Sequence, residues 1–277
     1  MLTAACAIHT RPSDNVAPNA TITIQTGTDP GDPNYASTSL VDLNPAKVAK
    51  ILSTTGAWLF DFGSAQRIDL AAFIHSTFAD TAVMRLQGNA TDSWGAPSFN
   101  ALIDVQAWLG SGSTRWPRNQ WLDLTQEAGY STTGYRYWRL VITGNDQNLW
   151  LGQVIFSPTI RRMSSDVQWD YARAPKKRSI VNETAYGSKT VYARGTTQYM
   201  LQANQRMDEE LFEDQEQHFY DSDGLALPWI LIPDETGPDA YFVRSVEDVY
   251  ATTHHFFDVH DRKFMVEELS RGVRPGV

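Results

Sequence analysis

Seven of the nine tryptophans in this 277-residue chain lie within its first 157 residues, at intervals that fit no helical face. They are Trp58, Trp94, Trp108, Trp116, Trp121, Trp138 and Trp150. Large rings at such irregular spacing are typical of β-sandwiches, where they fill the space of about 10 Å between two sheets. Residues 1–157 are therefore predicted to form a β-sandwich.

Short apolar runs separated by turn residues support this prediction. The runs include WLFDF (58–62), IDLAAFIHS (68–76) and YRYWRLVIT (135–143), and polar links separate them. Short strands with turns at regular spacing predict a sandwich or a jelly roll. One segment, residues 40–52, has a weak helical periodicity, and Pro45 is predicted to start a helix there.

The pattern changes near Pro158, and the length of the chain suits two domains. After this point strand-like runs surround one acidic amphipathic segment, residues 206–221, which is predicted to be helical. We therefore predict a mostly β protein with a jelly roll over residues 1–157. Residues 158–277 are predicted to form a small α+β barrel with one flanking helix.

Three segments of the first half resemble the discoidin-like, galactose-binding-like jelly rolls. These are WLFDFG (58–63), YWRLVI (137–142) and the closing LWLGQVI (149–155), in the order that the family shows. Asp61 lies in an apolar run, where a raised pKa could suit a general base. The resemblance instead implies that Asp61 is a scaffold position.

The same resemblance raises the question of calcium, because many carbohydrate-binding members hold a structural calcium ion. They use an aspartate loop near the N-terminus and a carboxylate on the closing strand. Asp29 and Asp32 correspond to the loop, but the closing glutamate is Gln153 in this chain. A neutral amide supplies an oxygen without its charge, so calcium affinity should fall. We predict no cofactor and keep Asp29 and Asp32 only as weak calcium candidates.

The second half resembles distal tail proteins of long-tailed bacteriophages. The resemblance rests on VYARGTTQYMLQA (191–203), the acidic segment, LPWILIPDE (227–235) and a terminal FMVEEL (264–269). It implies a structural protein of the tail tip or baseplate, assembled in the host cytoplasm and located at the virion tail tip. Such a protein forms a homo-oligomeric ring, expected here to hold six copies, with three as the alternative. The ring joins a tail tube protein to a tail-tip hub protein.

Charged residues of opposite sign suit head-to-tail contact between copies in such a ring. The basic candidates precede the acidic segment, and the acidic candidates lie within it. The candidates are Arg161, Arg162, Lys176, Lys177, Arg178, Glu209, Glu210 and Glu213. Solvated charge on a linker and a helix is the alternative interpretation.

Two tryptophans lie in polar loops and not in apolar runs. Trp94 follows Asp92, and Trp116 follows Arg115. An exposed indole can stack on the C–H face of a sugar ring while polar neighbours bind its hydroxyl groups. The alternative is that both rings fold back and seal the sandwich. A carbohydrate-binding domain displayed on a tail ring is the predicted function, and a free module protein that recognises cell-surface glycans is the alternative.

Other functional classes find little support in the sequence. The net charge of −9 and the lack of a basic stripe argue against binding to nucleic acid. No apolar stretch approaches the ~20 residues that insertion into a membrane requires. His254, His255 and His260 are the densest group of metal-ligand residues, but adjacent strand residues point to opposite faces. No nucleophile elbow or phosphate-binding loop is present, so we do not expect an enzyme.

Overall fold

A computed structural model describes residues 8–44, 47–76, 78–79, 81–103, 118–162, 172–183, 189–207, 213, 216–217, 219–221, 227–232, 240–246, 253–254 and 260–269. The chain divides into two compact units. The first comprises residues 1–163 and 230–241, and the second comprises residues 164–229 and 242–277. The domain boundary drawn from the sequence, between residues 157 and 158, stays a prediction.

Strands dominate the described residues. They are β1 (Ile8–His9), β2 (Thr21–Thr26), β3 (Ala49–Ile51), β4 (Gly56–Gln66), β5 (Leu70–Ser76), β6 (Val83–Asn89), β7 (Phe99–Ile103), β8 (Arg118–Asp123), β9 (Tyr135–Thr143), β10 (Leu149–Leu151), β11 (Gln153–Ser157), β12 (Arg161–Arg162), β13 (Ala172–Glu183), β14 (Lys189–Met207), β15 (Trp229–Ile232), β16 (Tyr241–Ser245), β17 (Thr253–His254) and β18 (His260–Glu268). Short 3-10 turns lie at Pro12–Asp14, Ala17–Asn19, Pro33–Tyr35, Ser37–Leu40 and Leu124–Gln126.

A five-stranded antiparallel sheet forms one layer of the first unit, in the order β2-β4-β9-β6-β7. Its side chains alternate between the two faces, as the pleat of a strand requires. On β9, for example, Trp138, Leu140 and Ile142 are buried, whereas Arg139 between them is only half-buried. The sheet thus has an apolar inner face and a polar outer face.

The second layer consists of a three-stranded sheet, β11-β5-β8, and a two-stranded sheet, β10-β3. Phe156 on β11 meets Phe60 on β4 with ring centres 5.1 Å apart, so the core lies between the layers. Phe73 on β5 also contacts Phe156, at 6.3 Å. The predicted fold class, a mostly β protein with a jelly-roll sandwich, is confirmed.

The helix predicted within residues 40–52 is wrong for its second part. Ala49–Ile51 is a strand that pairs antiparallel with Leu149–Leu151. Ala49 and Ile51 are fully buried while Lys50 is half-buried, which is the two-residue period of a strand. The pairing partner lies about 100 residues away along the chain, so local periodicity could not reveal it.

Strands β13, β14, β17 and β18 belong to the second unit, as does β16 from Phe242 onward. β13 and β14 form a long hairpin with a register shift between Lys176 and Arg178, and β14, β16 and β17 each pair antiparallel with β18. The predicted helix start at Arg206 is wrong, because β14 continues to Met207. Residues 213, 216–217 and 219–221 are helical. Closure of this sheet into a barrel stays a prediction.

Candidate functional site

Trp94 lies in the loop between β6 and β7, which is fixed at both ends by one side chain. Asn89 Nδ2 donates to the Ser93 carbonyl at 2.6 Å, and Ser98 Oγ donates to Asn89 Oδ1 at 3.0 Å. The Trp94 indole Nε1 donates to Asp92 Oδ1 at 2.6 Å. These bonds set the orientation of the half-buried indole relative to the sheet.

Arg139 supports the Trp94 ring from the outer face of the five-stranded sheet. Its guanidinium carbon lies 4.4 Å from the centre of the indole ring, within the range of a cation–π contact. Arg139 is half-buried, while its neighbours along β9 pack into the core. One face of the Trp94 ring therefore rests on a cation that is itself held by the sheet.

Two amide side chains, those of Gln25 and Gln87, accept hydrogen bonds from the Arg139 guanidinium. Nε and Nη2 donate to Gln87 Oε1 at 3.0 and 2.7 Å, and Nη1 donates to Gln25 Oε1 at 2.9 Å. Gln87 in turn donates to Asn100 Oδ1 at 3.2 Å. Gln25 lies at a register shift of β2 and donates to Asp92 Oδ1 at 2.7 Å. The network thus closes back on the carboxylate that holds the indole.

Strand pairing explains why these residues meet. Residues 23, 59, 139, 87 and 100 are direct neighbours in register across the five strands. Side chains in one such row project to the same face of a sheet. The row therefore places Arg139, Gln87 and Asn100 side by side on the outer face.

The electrostatics of this site follow from partial burial. Desolvation lowers the pKa of Arg139 below its ordinary value, and the Asp92 carboxylate opposes that effect. An arginine stays protonated in proteins, so the guanidinium keeps its charge. The acceptors that it contacts directly are neutral amide oxygens.

Several groups of this site are available to a ligand. The Trp94 ring has a second face, opposite Arg139. Asp92 and Asn100 are both exposed. Among the described residues, Gln25 and Trp94 donate hydrogen bonds to Asp92, and both bonds end on Oδ1. Oδ2 can therefore accept a hydrogen bond from a ligand. An aromatic face beside a carboxylate oxygen and an amide suits a polyhydroxylated ring.

The structure brings together two of the four predicted carbohydrate-binding residues, Trp94 and Asp92. Trp116 and Arg115 lie outside the described residues, and their role stays a prediction. Gln25, Gln87 and Arg139 were not predicted as site residues. For Arg139 a signal was available, because a long polar side chain between the apolar residues Trp138 and Leu140 of a strand marks an outward position. Gln25 lies at a register shift of β2, which the sequence does not reveal.

The calcium candidates Asp29 and Asp32 cap their own turns. Asp29 Oδ1 accepts from the Gly31 amide at 2.8 Å, and Asp32 Oδ1 accepts from the Asn34 amide at 2.9 Å. Gln153, the counterpart of the closing carboxylate, contacts a different loop, residues 39–44. Within the described ranges no three His, Cys, Asp or Glu side chains are arranged to hold a metal ion.

Gln153 is fully buried and occupies the centre of that loop. Its Nε2 faces three oxygens, Ser39 O at 2.8 Å, Asp42 Oδ1 at 3.1 Å and Asn44 O at 3.1 Å. Its Oε1 accepts from the Leu43 amide at 2.8 Å. An N–H group directed at three oxygens takes the position that a cation would need, so these residues do not fit calcium.

Two further observations agree with this assignment. Lys47 Nζ lies 2.9 Å from Asp42 Oδ2 and neutralises the one carboxylate that contacts Gln153 among the described residues. Leu43 has a φ of +55°, a left-handed conformation that costs energy for a residue with a β-carbon. The hydrogen bond from Leu43 N to Gln153 helps to hold it.

Two of the predicted interface residues have partners within their own unit. Arg161 donates to both carboxylate oxygens of Asp14, at 2.6 and 3.2 Å, and Arg162 lies 3.3 Å from Asp123. Glu213 is helical and exposed. The side chains of Lys176, Lys177 and Arg178, and all of Glu209 and Glu210, lie outside the described residues. The oligomer interface stays a prediction.

Asp61 has the contacts of a scaffold residue. It accepts from the Gly63 amide at 2.8 Å and from Arg136 Nε and Nη2 at 2.9 and 3.0 Å. The hydrogen bond from Arg136 is the main reason that the pKa of Asp61 lies below its ordinary value. Gly63 has a φ of +74°, which glycine adopts without strain. A general base would need the opposite shift of the pKa.

Two of the histidines considered as metal ligands, His254 and His260, lie opposite each other across the antiparallel pair of β17 and β18. The side chains of both, and all of His255, lie outside the described residues.

Among the helices within the described residues, none combines the length and the apolar character that a bilayer crossing needs.

Comparisons with known proteins add structural relatives but no family. No family model matches the sequence, and no curated protein matches it. A fucose binding module of Streptococcus pneumoniae is 17% identical, with a TM-score of 0.38, over 52% of this chain and 95% of the module. Chitosan-binding module 1 from a chitosanase/glucanase of Paenibacillus sp. IK-5 is 14% identical, with a TM-score of 0.35, over 51% of this chain and 97% of the module.

A third similar structure is a GH29 fucosidase of Ruminococcus gnavus, at 10% identity and a TM-score of 0.35. The match covers 54% of this chain but only 27% of the fucosidase. At such TM-scores these likenesses carry no argument about a ligand. The jelly-roll sandwich is established by the strand pairing and the core described above.

Proposed function

We propose that this chain binds carbohydrate on the outer face of the five-stranded sheet, with the Trp94 indole as the stacking surface. One observation carries the proposal: the half-buried Trp94 ring rests on Arg139 and is tied through Nε1 to the exposed Asp92. A ring held in this way loses little conformational freedom when a ligand binds, which favours affinity.

Each group has a role in this proposal. The outer face of Trp94 stacks against the C–H face of a pyranose ring. Asp92 Oδ2 accepts a hydrogen bond from a sugar hydroxyl, and the exposed Asn100 amide contributes a further polar contact. Arg139 acts through Trp94 as a positioning residue, since its own donors are engaged by Gln25 and Gln87.

The competing interpretation is that Trp94 only covers the sheet. Under that interpretation, removing the indole lowers stability and changes no binding. Half-burial of the ring suits both ideas, so the experiment must measure stability and binding in the same variant.

A glycan array probed with the labelled full chain tests the proposal. Wild type should bind a defined set of glycans, and Trp94→Ala should lose that signal while its thermal unfolding stays within a few degrees. Tyr220→Ala is the matched control, because Tyr220 is 65% exposed and lies in the second unit. An array on which wild type and Trp94→Ala give the same signals contradicts the proposal.

The tail-protein role concerns the second unit and rests on the sequence resemblance alone. Under it, the carbohydrate-binding unit would be displayed by a ring at the virion tail tip, between tail tube and hub proteins. The ring, these partners, the location and the absence of catalysis stay predictions. The free carbohydrate-binding module has the better support, because the sandwich and the Trp94 site are sufficient for it.

A further inference from the structure

A second aromatic group lies on the two-stranded sheet of β3 and β10, away from the row that carries Arg139. Trp150 lies between Leu149 and Leu151, which are both fully buried, so the half-buried indole faces outward. Lys50 is its direct neighbour across the strand pair. Tyr35 comes from the turn Pro33–Tyr35 and completes the group.

The two rings form a corner around the lysine ammonium. The ring centres of Tyr35 and Trp150 are 5.3 Å apart and the planes meet at 75°. Lys50 Nζ lies 4.4 Å from the Trp150 ring centre and 5.3 Å from that of Tyr35. Both distances fall within the cation–π range, so the rings hold the ammonium in place.

The charge of Lys50 is not compensated by a carboxylate among the described residues. Six other described cations do lie within 4 Å of a carboxylate oxygen: Lys47, Arg67, Arg136, Arg161, Arg162 and Arg244. An aromatic ring attracts a cation through its quadrupole and leaves the net charge unchanged. Lys50 therefore presents a positioned, uncompensated positive charge on a protein of net charge −9.

We propose that Tyr35, Lys50 and Trp150 form a second binding site, which takes a carboxylate-bearing pyranose such as a uronic acid residue. The Lys50 ammonium binds the sugar carboxylate in a charge-assisted hydrogen bond. The Tyr35 ring, which Lys50 covers less closely than the Trp150 ring, supplies the stacking face. Trp150 keeps the ammonium in position.

This site is distinct from that of Trp94. Lys50 and Trp150 lie on the two-stranded sheet and Tyr35 lies in the turn Pro33–Tyr35, whereas Arg139 and Gln87 lie on the five-stranded sheet. Failure of one proposal therefore leaves the other standing. Acidic sugars bound through Lys50 and neutral sugars bound through Trp94 respond to different substitutions.

Isothermal titration of the full chain with sodium oligogalacturonate, and with its methyl ester, tests the second site. Wild type should bind the acid at least about tenfold more tightly than the ester, a difference of about 1.4 kcal/mol. Lys50→Met should abolish this preference, and Tyr35→Ala should weaken binding of the acid. Lys47→Met is the matched control, because Lys47 lies on the same segment and is already paired with Asp42.

Trp94→Ala should leave the preference for the acid unchanged, which separates this site from the first. Thermal unfolding of each variant shows whether the sandwich is intact. Equal affinities for acid and ester, an unchanged preference in Lys50→Met, or no saturable binding of the acid by wild type would each overturn the proposal.

Discussion

The guanidinium carbon of Arg139 lies 4.4 Å from the centre of the Trp94 ring, and its nitrogens donate to Gln25 and Gln87. A strand residue thus holds a loop residue in place through a planar group that can stack and donate at once. Lysine keeps the positive charge but has neither a planar guanidinium group that can stack on the ring nor several N–H donors in a fixed arrangement. The identity of residue 139, and not only its charge, should therefore set the geometry of the site.

Arg139→Lys should loosen the loop that carries Trp94 and weaken glycan binding about fivefold, which corresponds to about 1 kcal/mol. Hydrogen exchange should speed up in residues 90–98 and stay unchanged in β4. Arg85→Lys, on the neighbouring strand β6, is the control and should bind as wild type does. Wild-type affinity and exchange in Arg139→Lys would refute this role for Arg139.

Gln153→Glu should convert the loop of residues 39–44 into a calcium-responsive one. Without a cation, the new carboxylate faces the oxygens of Ser39, Asp42 and Asn44, so the variant should unfold at a lower temperature than wild type. Millimolar calcium should restore its stability, since oxygen ligands at this density suit that ion. The melting temperature of wild type should not respond to calcium or to EDTA.

Gln126→Glu, on an exposed turn, is the control for the added charge, and it should show no calcium response. A wild-type melting temperature that rises with calcium would contradict the assignment of the Gln153 amide to the cation position.

The Asp61–Arg136 pair should make stability depend on pH. Its hydrogen bond to Arg136 lowers the pKa of Asp61 in the folded protein. The pair therefore contributes its full stability above the pKa that Asp61 has in the unfolded chain. This stability is lost as the pH falls below about 4 and passes through the lower pKa of Asp61 in the folded protein. At pH 7 the melting temperature of wild type should be higher than that of Asp61→Asn, and this difference in melting temperature should shrink toward pH 2. A difference that is constant from pH 7 to pH 2 would show that the pair contributes nothing through charge.

The sequence predicted the sandwich well because its signals are local. β4 opens with an apolar run, and in β9 buried residues alternate with half-buried ones, so strand type can be read from neighbouring positions. The helix predicted at residues 40–52 failed because the pairing of Ala49–Ile51 with Leu149–Leu151 is decided by a distant partner. Short segments commonly follow such tertiary contacts over their own propensity.

The candidate sites were only partly predictable for the same reason. Trp94 and Asp92 are close in sequence and could be paired by inspection, whereas Gln25, Gln87 and Arg139 meet only through strand register. The density of tryptophans predicts a sandwich but does not show which way Trp150 faces. The alternation of Leu149, Trp150 and Leu151 turns it outward, toward Lys50.

The predicted ring can be tested on the full chain by light scattering and negative-stain imaging. If the resemblance of the second half to distal tail proteins is correct, a closed oligomer of six or three copies should appear. Charge reversal at Glu213, which is exposed, should weaken assembly more than charge reversal at Arg162, which already has Asp123 as a partner. A monomer at high concentration would favour the free carbohydrate-binding module.

The most direct test of the central claim is the affinity of wild type and Trp94→Ala for one glycan selected on the array, measured by isothermal titration. The indole provides the stacking surface, so Trp94→Ala should lose at least about tenfold in affinity, while Tyr220→Ala retains the wild-type value. Equal dissociation constants for wild type and Trp94→Ala, with both proteins folded, would contradict carbohydrate binding at Trp94.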